Sequence, residues 1–285
     1  MVYDILKLMN INNINNIIQY GSFEDDSVYD VWKVITNDNI YVLKKAKNYE
    51  IEIYTKLLSE LEYGVPKLYN SVRYNDEDYI LIEYVEGNVL NICYRDSLIK
   101  AVDALIYVQD YYWNDNNNNN VGYTYDKSLN GRINRSNYLN DKELEDEYKI
   151  YLDLYSKLPK TLCHDDLLPF NIISGNEAKI IDWEYAGMLP YLTSIARLLA
   201  HAGQCDEFFY MKEEDKEFII KYYYDNLLKN KNIDYNDYIY SLSYFILYEY
   251  CEWIMLGNKY ENSNLERYNM YKSKAKKLIA SIKYK

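Results

Sequence analysis

The chain has 285 residues, enough for about two domains and a sizeable core, so tiny disulfide scaffolds and single-helix modules are excluded. Its 44 acidic against 32 basic residues leave a net charge of −12 with no basic run, so nucleic acid has little electrostatic support as a partner and cationic ligands suit the chain better. Tyrosine accounts for 37 residues of a composition that is 49% hydrophobic, which predicts an amphipathic core whose hydroxyls need partners.

The first segment is rich in Asn and Ile and reads as helical; with Asp4 and Lys7 it lacks the form of a secretory signal. Two β-branched and aromatic runs, Val28 to Ile35 and Ile40 to Ala46, flank Thr36-Asn37-Asp38-Asn39 and read as a hairpin. From Tyr49 to Leu61 the period becomes helical, with Glu50, Ile53, Tyr54 and Leu57 on one face and Glu52, Thr55, Lys56 and Ser59 on the other. Two further strand-like runs, Lys67 to Tyr74 and Tyr79 to Val85, are joined by the turn Asn75-Asp76-Glu77-Asp78. The chain up to residue 87 is therefore expected to be a small sheet with one helix.

Beyond Glu86-Gly87-Asn88 the character is mostly helical. Helices are expected over Asp96 to Tyr112, Lys142 to Lys157, Glu213 to Lys229 and Asp234 to Leu256, with a basic amphipathic tail over Asn264 to Tyr284. The tract Asn116 to Asn120 reads as a solvated loop. No internal repeat is visible, and no apolar stretch approaches the ~18 residues of a membrane span, so no membrane partner is expected. Cys93, Cys163, Cys205 and Cys251 are widely spaced without a Cys-x-x-Cys pair and read as reduced structural thiols of a cytoplasmic protein.

The most informative stretch is Leu162-Cys163-His164-Asp165-Asp166-Leu167-Leu168-Pro169-Phe170-Asn171-Ile172-Ile173, followed by Ala178-Lys179-Ile180-Ile181-Asp182-Trp183-Glu184. Two short apolar strands flank polar residues, and the turn Gly175-Asn176-Glu177 brings Asp182 back toward His164, Asp166 and Asn171. Phosphoryl transfer asks for such a cluster: a carboxylate to orient a hydroxyl, and oxygen ligands for magnesium on nucleotide phosphates.

The pattern His-x-Asp-x-x-x-x-Asn with the later Ile-Asp-Trp-Glu-Tyr-Ala-Gly resembles the small-molecule kinases related to choline/ethanolamine kinases and aminoglycoside phosphotransferases. The resemblance is strongest over residues 160 to 188. It implies an α+β, protein-kinase-like two-lobe fold, with a nucleotide-binding lobe over 1–87 and a catalytic and substrate-binding lobe over 88–285. It also implies ATP and Mg2+ as cofactors, Asp166 as catalytic base, Asn171 and Asp182 as metal ligands, and His164 as a brace for the loop. Asp165 reads as a solvated surface acid. Glu184 reads equally as a ligand reaching the substrate side or a second metal, and as a structural acid.

In the first lobe, Lys44 shares the strand face of Ile40, Val42 and Ala46, whereas Lys45 shares that of Lys47, so Lys44 is the inward candidate to hold phosphates, with Glu50 as its partner. Adenine is expected against the backbone of Ile82 to Gly87, Glu83 and Val85 included. Two departures stand out. The phosphate loop is only Gly21-Ser22-Phe23-Glu24-Asp25-Asp26-Ser27, one glycine with three acids, where the Ser22 and Ser27 hydroxyls would help. And Leu192-Thr193-Ser194-Ile195-Ala196 offers hydroxyls where relatives place an aspartate that braces the catalytic loop.

For the acceptor, Tyr250 and Trp253 lie three apart on one helix with Glu249 and Glu252 beside them, an aromatic, acid-rimmed wall for a small cationic, hydroxyl-bearing substrate, or else plain core. The reading is an ATP- and magnesium-dependent kinase of choline or ethanolamine. An aminoglycoside phosphotransferase, a catalytically degenerate homologue that binds without turnover, and a hydrolase using Asp165, Asp166, Asp182 and Glu184 are the alternatives.

Overall fold

The computed structural model describes residues 1–21, 27–201, 209–260 and 265–283. The chain opens with α1 (Val2–Leu8), β1 (Ile14–Gly21), β2 (Val28–Thr36), β3 (Ile40–Lys45), α2 (Glu50–Lys56), β4 (Leu68–Tyr74) and β5 (Glu77–Glu83). The five strands form an antiparallel sheet in the order β1-β2-β3-β5-β4. The expected hairpin forms with Ile35 opposite Ile40. At the β4–β5 turn Asn75 and Asp76 adopt φ of 50° and 63°, the left-handed pair whose twist matches the flanking strands.

The first segment departs from its helical reading. Only residues 2 to 8 are helical; Asn10 and Asn13, at φ 60° and 56°, then turn the chain into β1, which pairs with β2. Asparagine side chains compete with helical hydrogen bonds and tolerate left-handed turns, so an Asn-rich stretch propagates a helix poorly. Pairing with β2 decides the rest.

Alternation along β3 divides the sheet's two faces. Leu43 joins Ile5 and Leu6 of α1 and Met9 just after it with Trp32, Val34 and Leu81 in a small cluster. Val42, Ile80 and Ile82 belong instead to the main core, which runs through Ile53, Tyr54 and Leu57 into the helical remainder. Lys44, one residue on from Leu43, consequently lies on the α2 side.

That remainder comprises β6 (Asn88–Val89), α3 (Arg95–Tyr111), α4 (Tyr125–Ser136), α5 (Lys142–Lys157), β7 (Lys160–Cys163), β8 (Ile172–Ser174), β9 (Ala178–Ile180), β10 (Gly187–Pro190), α6 (Leu192–His201), α7 (Glu213–Asn226), α8 (Tyr235–Tyr260) and α9 (Leu265–Lys283). Helix α5 keeps its expected bounds, capped by the Asp141 carboxylate accepting from the Leu144 N–H at 3.3 Å. Helix α4 has no apolar stripe to betray it, because its buried residues are Ser128 and Arg132. Strands β6, β8 and β9 form one small sheet and β7 with β10 another.

Much of the tyrosine-rich interior finds partners, with Tyr112 donating to Leu57 O at 2.8 Å, Tyr148 to Arg132 O at 3.0 Å and Tyr223 to Gln109 Oε1 at 2.6 Å, whereas the buried hydroxyls of Tyr54 and Tyr191 have none. Cys93, Cys163 and Cys251 are buried and free, while Cys205 lies outside the described residues. Among the described residues no helix is long and apolar enough to cross a membrane.

Two glycines let the loop before α4 press against the start of β10. Gly122 sits at φ +74°, and a Cβ there would stand 2.4 Å from both Ala186 O and Ile53 Cδ1; a Cβ on Gly187 would stand 2.1 Å from Tyr123 O. That approach is sealed by the Tyr123 N–H donating to Ala186 O at 2.7 Å. Gly122→Ala is expected to cost about 1–3 kcal/mol through left-handed strain and overpacking, read as a lowered Tm in thermal unfolding; an unchanged Tm would contradict the close approach.

Candidate active site

Strand β7 delivers the chain to His164, and the loop that follows is held from within. The Nε2 of His164 lies 2.8 Å from Ile181 O, and because a carbonyl only accepts, Nε2 carries the proton. Burial lowers the His164 pKa to about 4, so the ring is neutral. Its ring meets Trp183 edge-on at 4.8 Å, and its Nδ1 is buried without a partner. A short helical turn at Pro169–Asn171 then sets Asn171, whose Nδ2 donates to Asp166 O at 2.9 Å, leaving Oδ1 as the amide atom with lone pairs to offer. The β8–β9 hairpin returns the chain, the Ile181 N–H donates to Asn171 O at 2.9 Å, and Asp182 follows at φ 65°. His164, Asp166, Asn171 and Asp182 thus come together as their spacing predicts.

Across from them stands Lys44. Its Nζ donates to Glu50 Oε1 at 2.8 Å and also to Asp182 Oδ1, joining the sheet to the loop after β9. Glu50 is fully buried and burial pushes its pKa up to about 7 against the pull of Lys44. For Asp182 burial acts in the same direction, but Lys44 outweighs it and holds the carboxyl below its ordinary value. Burial would likewise depress Lys44; Glu50 and Asp182 together raise it instead, so the ammonium stays charged. Lys45, on the opposite face, pairs with Glu77 at 2.9 Å.

Ser194 accepts the His164 N–H on its Oγ at 2.9 Å, so a hydroxyl braces the loop where the resemblance implies a carboxylate. Asp165 corrects another expectation. It is no surface acid: its side chain is 11% exposed, its φ is 53°, and Arg132 Nη2 donates to its Oδ1 at 2.6 Å. Arg132 is itself buried, sandwiched between the rings of Tyr155 and Tyr248 at 4.7 Å each. A left-handed residue beside a buried guanidinium turns inward, which strand or helix periodicity does not report.

Arg197 of α6, not singled out from sequence, contacts Asp166, Glu249 and Glu252. Burial pushes the Asp166 carboxyl up to about 6 even with Arg197 pulling the other way. The signal available in the sequence was an arginine one helical turn after Ser194, the one ionisable residue besides His201 on a largely apolar helix. Also unforeseen is a row of tyrosines beside the acids. Tyr49 stacks on Tyr123 at 5.9 Å and Tyr123 meets Tyr185 edge-on at 6.2 Å. Burial raises the Tyr123 and Tyr185 hydroxyl pKa values, reinforced by Asp165 at the first and by Glu184, Asp166 and Asp182 at the second.

The remaining candidates are dispersed. Tyr250 and Trp253 face α9, where Trp253 lies parallel to Tyr271 at 5.6 Å and Tyr250 meets it at 5.8 Å, while Glu249 and Glu252 both bind Arg197. Glu184 accepts from Asn48 Nδ2 at 2.8 Å, and its carbonyl accepts the Tyr49 N–H at 3.2 Å, which ties it to the start of α2. The Glu83 carboxylate pairs with Lys179 at 2.5 Å. Glu83 and Val85 border a cleft of about 520 Å³ with Gly87, Asn176 and Lys179, apart from Asp166 and Asp182. Ser27 is exposed just before β2, and residues 22 to 26 of the glycine-poor loop lie outside the described residues.

With the geometry in view, the chain can be set beside known proteins. The sequence pattern of the phosphotransferase enzyme family matches residues 29–222. No curated protein matches the chain by sequence. Among solved structures, the choline kinase LicA from Streptococcus pneumoniae is similar at 16% identity over 98% of each chain, with a TM-score of 0.64. A Plasmodium vivax ethanolamine kinase shares 18% identity over 97% of this chain and 84% of its own, at a TM-score of 0.62. An aminoglycoside phosphotransferase from Alicyclobacillus acidocaldarius shares 14% over 96% and 93%, at 0.65. These likenesses establish the two-lobed α+β, protein-kinase-like fold.

Replacing Ser194 by alanine removes the acceptor of a buried backbone N–H, which should cost about 1–3 kcal/mol. Thermal unfolding of Ser194→Ala at or above the wild-type Tm would show that the brace carries no load.

Proposed function

This chain belongs to the phosphotransferase enzyme family, and from that premise we propose that it transfers the γ-phosphoryl group of ATP, with magnesium, to the hydroxyl of a small cationic amino alcohol such as choline or ethanolamine. The observation that carries the proposal is the convergence of Lys44, Asp166, Asn171 and Asp182, since one ammonium, two carboxylates and one amide are what phosphoryl transfer requires at one place.

The nucleotide would occupy the groove between residues 1–87 and 88–285, its base against the backbone of Glu83 to Val85 and its phosphates toward Lys44. The donor set fits magnesium. Asp182 and Asn171 offer hard oxygens, and magnesium characteristically takes one or two protein oxygens together with phosphates and water; among the described residues no group of three or more His, Cys, Asp or Glu side chains forms a self-sufficient metal cage. Bound there, the ion would offset charge on the phosphates. Lys44, kept charged and kept in place by Glu50, adds a second positive group on the same oxygens. Asp166 receives or orients the acceptor's hydroxyl proton. Most of the acceleration then comes from position and preset charge rather than from covalent chemistry.

A cationic acceptor is supported by the net charge of −12 and by Tyr185, the exposed end of the Tyr49–Tyr123–Tyr185 row, whose ring lies beside the Asp166 and Asp182 carboxylates, whereas the Tyr49 ring is already covered by Tyr123 and the Lys127 ammonium. That row takes the place assigned from sequence to Tyr250 and Trp253, which are engaged with α9. A cytoplasmic setting, where ATP is at hand, suits three buried, unpaired cysteines.

ADP release measured with choline, ethanolamine and kanamycin should rank an amino alcohol first; kanamycin ahead of both would move the reading to antibiotic modification. Asp166→Asn should lose about 10²- to 10⁴-fold in turnover while ATP with magnesium still raises its Tm. Near-normal turnover of that variant refutes the base assignment. Asp182→Asn should lose the magnesium-dependent part of the ATP-induced Tm shift, and a shift of wild-type size would remove Asp182 from the metal site.

A further inference from the structure

Helix α6 presents three polar side chains along one side, Ser194, Arg197 and His201, at the i, i+3, i+7 spacing of a single face. Ser194 holds the backbone of His164, as described. Arg197 reaches the same loop two residues on: its Nε and Nη2 both donate to Asp166 Oδ1, at 2.9 and 2.7 Å. Its third nitrogen, Nη1, donates to Glu249 Oε2 and Glu252 Oε2, each at 2.7 Å.

The two glutamates are themselves fastened. Glu252 receives Arg135 Nη1 at 2.6 Å and the Tyr248 hydroxyl at 2.9 Å, and Glu249 lies 3.2 Å from His201 Nε2. Only 2% of the Glu249 side chain and 12% of that of Glu252 is exposed, so removing the guanidinium would leave two carboxylates uncompensated in a largely dry place. Arg197 is therefore not a mobile surface cation. It is held on both sides, by two acids of α8 and by one carboxylate oxygen of the loop.

Two consequences follow for the site. Because Oδ1 of Asp166 already accepts two N–H groups of one planar guanidinium, the carboxylate plane is set and Oδ2 is the oxygen that remains to receive a hydroxyl proton. And because Glu249 and Glu252 are engaged by Arg197 and Arg135, they are committed to the loop rather than to the ammonium of a substrate.

We propose that Arg197 is the positioning residue of Asp166, anchored in turn by Glu249 and Glu252, and that it directs Asp166 Oδ2 toward the acceptor hydroxyl. The proposal rests on the reading that Asp166 receives that hydroxyl's proton. An ion-paired carboxylate is a weaker base, but in a loose phosphoryl transfer the alignment of the hydroxyl counts for more than its early deprotonation.

The test uses the full chain and the ADP-release assay with its best acceptor. Arg197→Ala should lower kcat about 100-fold, the scale of a misplaced reacting group. Its KM for ATP and the Tm shift given by ATP with magnesium should stay close to wild type, because nothing that holds phosphate has been removed. Guanidinium ion at tens of millimolar should restore part of the lost kcat by refilling the space between Asp166 and the α8 acids, whereas sodium at the same concentration should not. Loss of the ATP-induced shift in step with kcat, kcat within about threefold of wild type, or a variant indifferent to guanidinium each overturns the proposal. Should Arg197→Ala fail to fold, the isosteric Glu249→Gln decides: a reduced kcat at unchanged KM for ATP supports the relay, and an unchanged kcat refutes it. Asp166→Asn, run alongside, separates the two levels. If that variant turns over normally the base reading itself fails; if it is inactive while Arg197→Ala is unimpaired, only the positioning role falls.

Discussion

One ammonium group links the halves of this molecule. Lys44 Nζ bonds Glu50 from the sheet side and Asp182 from the helical side, and these two carboxylates outweigh the burial that would otherwise neutralise it. Around that link the nearby contacts are shared across the same boundary: Asn48 with Glu184, the Tyr49 N–H with Glu184 O, and the Ile180 N–H with Gly64 O at 2.9 Å. A carboxylate two residues before Glu184 would be a poor neighbour for another acid, Glu50, without a cation between them. The ion pair therefore governs whether the lysine of the sheet and the carboxylates of the helical side can share one groove.

A second constraint concerns the acids themselves. A chain with twelve more carboxylates than basic groups still buries few of them unpaired near its site. Arg132 takes Asp165, Arg135 takes Glu252, and Arg197 takes Asp166 with Glu249 and Glu252. Each of these arginines costs solvation to bury, and the tyrosines bear part of that cost. Tyr151 accepts from Arg132 Nε at 2.8 Å, Tyr248 accepts from Arg135 Nη2 at 2.7 Å, and the rings of Tyr155 and Tyr248 enclose the Arg132 guanidinium. The abundance of tyrosine thus has a physical use here: a core that is apolar in its rings and polar at its rim can hold arginine.

Much of the plan was legible because it is local. Strand alternation put Lys44 inward and Lys45 outward, helical spacing put Glu50 inward, and the order His-x-Asp-x-x-x-x-Asn, strand, turn, strand, Asp folds back on itself over fewer than 20 residues. Other features were hidden for identifiable reasons. Strand β1 exists because β2 offers it an edge, and α4 because Ser128 and Arg132 are buried by polar partners, neither of which leaves an apolar period. Asp165 looked solvated because its partner lies 33 residues away. Tyr250 and Trp253 were placed on one face correctly, but which neighbour that face meets is settled by α9.

What the sequence determined alone is the chemistry that neighbours along the chain can set: the sheet-then-helix order, the loop with its base and metal-ligand candidates, and the inward lysine with its glutamate. Only the tertiary structure decided which charges meet. Arg197 finds Asp166 across 31 residues and Glu249 across 52, and Ser194 finds His164 across 30. Side-chain periodicity carries information over one or two turns of helix or strand, whereas ion pairing depends on distances that packing alone creates.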